Sequence, residues 1–178
     1  MPDPAVVDAV DHAPSYAELF RVVKRLVERR LQRSRAGIML GLSSLGVSPG
    51  GFLGGYFVVG SNAIVLNRDV LNYVRTTAPD YHNAYAFHVL LHEYLHTLGW
   101  FREDEVRPLA HDLSLDTLGP DHPATLIAAA MDTRDHGRPD APELFRRLVY
   151  PRFGWAPPGR PEVEIVKGFD LDATPYIG

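Results

Sequence analysis

Cysteine is absent from the 178 residues of this chain, which excludes disulfides, thiolate metal sites and thiol nucleophiles together. A chain of this length does not need such staples to fold, and a single domain spanning 1–178 with its own core is expected. Equally lacking is any uncharged apolar run of about 20 residues, the length that spans a bilayer. The opening Met1-Pro2-Asp3-Pro4 has no basic stretch followed by an apolar one, so no secretory signal is read and a cytoplasmic protein without a membrane partner is expected. Excess positive charge is missing too: the formal net charge is −4, which argues against a general nucleic-acid binder, although residues 21–35 are locally basic. Lysine is nearly absent, with Lys24 and Lys167 the two present. No lysine-serine or lysine-threonine pair therefore follows the glycines of Pro49-Gly50-Gly51 and Gly54-Gly55, which excludes a phosphate-cradling loop of the P-loop kind.

What is present has the periodicities of an α+β protein. Ser15-Tyr16-Ala17-Glu18 is a capping box, and Leu19, Val22, Val23, Leu26, Val27 and Leu31 follow at helical spacing, so a first helix is expected over residues 16–33. Residues 37–45 and 57–66 read as strands of one small sheet, the second broken by a turn or bulge at Gly60-Ser61-Asn62. Residues 69–74 form a short helical turn leading into a long helix that Asp80 would cap and Gly99 would end. Its stripe is Ala84, Phe87, Leu91, Leu95 and Leu98. Beyond it, acids at Glu103, Asp104 and Glu105 suit the dipole of a helix running to about Leu118, which Gly119-Pro120 breaks. Asp121 is read as the cap of a further helix with Pro123 in its first turn, ending near Met131. A short helix over 141–150 and a last strand over 163–166 complete the pattern. The expected architecture is a small mixed sheet packed with an N-terminal helix and one long central helix, followed by a helical C-terminal half.

The long helix carries the chemistry. In His92-Glu93-Tyr94-Leu95-His96 two imidazoles stand one turn apart, roughly 6 Å of rise, so both rings can turn onto one ion while Glu93 lies beside it. Neutral imidazole suits a zinc ion (Zn2+), and a carboxylate next to such a site can collect a proton from water. His88 extends the ladder by another turn, but roughly 12 Å separates it from His96 along the axis, which places it outside the pair.

Two histidines hold zinc poorly, so a third donor is required. His122 is preferred: it precedes Pro123 at a helix start, where a fixed backbone can aim a side chain across a cleft. Glu105 follows, since a tight helical hairpin would bring it near His96, and His111 on the same helix comes last.

The run from His92 through His96 resembles the zincin superfamily of metallopeptidases, and His92-Glu93-Tyr94-Leu95-His96-x-Leu98-Gly99 is similar to a small archaeal zincin-like group. A looser likeness covers Ile165-Val166-Lys167-Gly168-Phe169-Asp170. The chain departs from the metzincins and from the RNA-processing metalloendoribonucleases, because Arg102 stands where their third histidine would follow Gly99. Glu105 would be the counterpart of the gluzincin carboxylate. The resemblance implies a zinc-dependent hydrolase of peptide or protein substrates with Glu93 as general base, and an edge strand that pairs with an extended peptide. Tyr150, Tyr176 and Arg107 are the candidate oxyanion partners. Two alternatives stand beside it: metal-dependent RNA cleavage, suggested by the Leu98-Gly99 turn after His96 and by the basic first helix, and a non-catalytic zinc-stabilised module whose cleft the proline-rich tail closes.

Overall fold

The computed structural model describes residues 1–46, 53–132, 134 and 163–166. Its architecture is α+β, with helices α1 (Pro4–Asp11), α2 (Tyr16–Leu31), α3 (Arg68–Thr77), α4 (His82–Thr97), α5 (Glu103–Leu118) and α6 (Pro123–Met131). The strands are β1 (Met39–Ser43), β2 (Gly55–Phe57), β3 (Ala63–Asn67) and β4 (Glu164–Ile165). They lie in the order β2-β3-β1-β4; β1 and β3 are parallel, while β2 and β4 run antiparallel to their neighbours. The sheet is mixed, as expected. No helix among the described residues is long and apolar enough to cross a membrane.

Local chemistry accounts for most boundaries. Ser15 Oγ accepts from the Glu18 N–H at the start of α2, and Gln32 ends that helix in the left-handed conformation with φ 53°. The Glu18 carboxylate does not close the box but pairs with Arg21. Asn67 closes β3 and caps α3 by accepting from Asp69 N, which makes the expected helical turn a full helix of 10 residues. Asp80 is not the cap of the long helix: it sits inside a 3-10 turn, Pro79–Tyr81, and α4 begins after Tyr81 with no side-chain cap. The helix α1, capped by Asp3 with Pro4 in its first turn, was not anticipated. The helix expected over 141–150 lies outside the described residues.

Around α4 the rest of the molecule is assembled. It packs against α1, α2, α3, α5, α6, β2 and β3, and twelve of its residues are buried, among them Phe87, Leu90, Leu91, Tyr94 and Leu95. A single apolar stripe would not serve a helix with neighbours on every side. Strand β2 approaches α4 closely because Gly54 and Gly55 lack side chains: a Cβ would meet Tyr85 Oη at 2.8 Å or a Val89 methyl at 2.9 Å. This closeness brings the edge of the sheet beside the helix that carries the imidazoles.

Candidate metal centre

The last two turns of α4 present His92 and His96, and Gly99, at φ 104°, then turns the chain so that α5 starts at Glu103 and runs back along α4. The result is a triangle of donor atoms. Nε2 of His92 and Nε2 of His96 are 3.1 Å apart, and Glu103 Oε1 lies 3.3 and 3.2 Å from them respectively. These three form the group of potential ligands found among the described residues. Four donors placed tetrahedrally at zinc distances are about 3.3 Å apart, so the three edges match a tetrahedral face.

The ring orientations favour the same chemistry. His96 Nδ1 lies 2.7 Å from the Trp100 carbonyl, which can only accept; the proton therefore sits on Nδ1 and leaves the Nε2 lone pair aimed at the triangle. Two imidazole nitrogens at 3.1 Å, with a carboxylate oxygen against both, need a proton or a cation between them. The Glu103 side chain is 51% exposed and the two imidazoles 14%, so the triangle opens toward solvent on the glutamate side. Water and a small ligand can reach a fourth position there.

Charge is arranged to keep Glu103 ionised. The hydrogen bond from His92 holds its carboxyl at about 2, helped by Arg107, whose Nε donates to Glu103 Oε2 at 2.8 Å, against the cost of desolvation. One carboxylate oxygen thus faces the imidazoles and the other is held by a guanidinium. Glu93 behaves differently: it is 7% exposed, and burial raises its pKa. The neighbouring imidazoles and the Phe57 N–H work against that rise. Gly54 and Val58 bond to β3, so by antiparallel alternation the main-chain groups of Gly55 and Phe57 point out of the edge that no other strand among the described residues covers. The outward N–H of Phe57 is thus the main-chain group that opposes the rise of the Glu93 pKa.

The structure brings His92, Glu93 and His96 together and does not bring His122 to them. His122, rather than Asp121, is the N-cap of α6. Its Nδ1 accepts from Ala124 N at 3.1 Å, and Nε2 therefore carries the proton and lies 3.1 Å from Asp11 Oδ1. With both nitrogens committed, no lone pair remains for an ion. His111 is turned to Asp132, Nδ1 to Oδ2 2.8 Å, and Glu105 is exposed and outside the cluster. Glu103, and not the preferred His122 or the alternatives Glu105 and His111, is the third group beside the two imidazoles. Glu105 lies about 200° farther round the helix, so only the phase of α5 separates it from Glu103. Arg107 grips Glu103, and Tyr150 and Tyr176 lie outside the described residues. Comparison with family models, curated proteins and solved structures gave no match.

Proposed function

We propose that this chain is a zinc-dependent hydrolase of extended peptides, in which His92, His96 and Glu103 hold the ion and Glu93 is the general base. The observation that carries the reading is the triangle of donor edges at 3.1, 3.2 and 3.3 Å beside a buried carboxylate on the same helix. When bound, zinc supplies a Lewis acid that acidifies an attacking water and polarises the scissile carbonyl. Glu93 takes the proton from that water, a task its raised pKa suits, and returns it to the leaving amine. Glu103 stays anionic under the hold of Arg107 and balances the ion's charge. The open edge of β2 would receive the substrate backbone by strand addition, with side-chain pockets selecting the sequence. A carboxylate as third donor favours this reading over the three-histidine frame of the metalloendoribonucleases.

The test is zinc-dependent cleavage of extended peptides, abolished by a chelator and restored by zinc. Glu93→Gln is expected to lower kcat by on the order of a thousandfold while retaining the metal. Undiminished turnover in that variant removes the proposed base.

A further inference from the structure

Arg35 stands in the connection between α2 and β1, outside every motif of the sequence, and its contacts reach both helix α4 and the turn between β2 and β3. Its backbone N–H donates to Tyr94 Oη at 2.9 Å, next to Glu93 in the chain. Nη1 donates to the Thr97 carbonyl at 2.9 Å, one residue past His96. Nη2 donates to the Ser61 carbonyl at 3.0 Å and to Asn62 Oδ1 at 2.8 Å, both in the turn that joins β2 to β3. The guanidinium also lies over the Phe57 ring, 5.5 Å from its centroid. A single side chain thus joins the C-terminal turn of the imidazole helix to the hairpin that contains β2, the outer strand of the described sheet.

Geometry explains why arginine stands here. Three acceptors on two elements, with an aromatic face beneath, require a planar fork of several donors; an ammonium is a point charge and cannot satisfy them together. At the start of β2, strand and helix α4 are held by the close packing of Gly54 and Gly55 on Tyr85 and Val89. At the turn that follows β2 the same two elements have a polar brace. The brace sets how far the outward main-chain groups of Phe57 stand from the helix that carries Glu93.

We propose that Arg35 is a positioning residue that sets the distance between the edge strand β2 and the Glu93 helix, so that the Phe57 amide meets the general base and an extended peptide lies at the right height over the metal centre. The second half rests on the peptidase reading; the first does not.

Arg35→Lys tests it, because the charge is kept and the fork is lost, with Arg35→Gln as the uncharged control. Three readouts are taken on the full chain: zinc affinity by calorimetry, amide hydrogen exchange of the zinc-free protein, and steady-state kinetics of the zinc-loaded protein on an extended peptide and on a small activated ester. Arg35→Lys is expected to keep zinc affinity within about threefold of the parent and to lower kcat for the ester and the peptide by the same modest factor, while the Phe57 amide exchanges about tenfold faster or more and the β3 amides hold their rates. KM for the extended peptide rises by about tenfold with a smaller change in kcat. Unchanged Phe57 exchange, or equal acceleration in β3, overturns the positioning claim and leaves Arg35 a general stabiliser. Faster Phe57 exchange with an unchanged peptide KM overturns the substrate half. If the unaltered protein with zinc cleaves no peptide, the peptidase reading falls, and the exchange rates still decide the role of Arg35.

Discussion

Trp100 and Arg107 lie outside the triangle, yet they decide how two of its three corners are presented. The Trp100 carbonyl fixes the tautomer of His96, and Arg107 holds the outer oxygen of Glu103 so that the inner one faces the imidazoles. Partners of this kind typically alter metal affinity by ten- to a hundredfold. Arg107→Ala is therefore expected to weaken zinc binding by about that factor in a calorimetric titration, without unfolding the protein; unaltered affinity would show that Glu103 needs no such support. At this scale helical spacing is enough to bring the His92 and His96 nitrogens together, but not to choose their neighbour on α5, where one helical phase has to be known. Glu103 and Glu105 are the same residue type in the same first turn, and only the rotation of α5 chooses between them. His122 misled for a related reason: its place before Pro123 does fix its ring, but toward Ala124 and Asp11.

Helix α4 shows what periodicity can and cannot reveal. Its existence and its end at the Gly99 turn followed from pattern, whereas its burial on all sides depends on seven neighbouring elements that no local pattern encodes. His88 pays for that position. It is 4% exposed, its Nδ1 has no partner among the described residues, and its pKa is driven down to about 3 by burial, with His92, Arg107 and His111 adding to the shift. A histidine whose folded pKa lies below the unfolded value of about 6.5 binds more protons when unfolded, so stability rises with pH between those limits and falls on acidification. His88→Leu is expected to flatten the dependence of the unfolding midpoint between pH 6.5 and pH 4, measured on zinc-free protein to separate it from metal release. An unchanged slope would assign the acid sensitivity to other groups.

Across the whole molecule, the α+β class, the mixed sheet and the order of sheet before imidazole helix were legible, because the long helices carry their own period and the strands are short β-rich runs between glycine-bearing turns. The pairing was not: β1 lies parallel to β3 with β2 on the outer edge, an order set by contacts between segments distant in sequence. Helix α1 escaped notice because eight residues give a weak period; it is held by tertiary contacts, including the Asp3 N–H to the Thr117 carbonyl at 2.8 Å and Asp11 against His122. His122 thus ties the N-terminal helix to α6. The account as a whole depends on α4 and the start of α5 meeting over one ion. Its most direct test is a calorimetric zinc titration of the unaltered protein, Glu103→Ala and His122→Ala in parallel. The account predicts one zinc per chain for the unaltered protein, the same for His122→Ala, and affinity lower by about a hundredfold or more for Glu103→Ala; loss of zinc from His122→Ala with retention in Glu103→Ala, or no zinc bound by the unaltered protein, would contradict it.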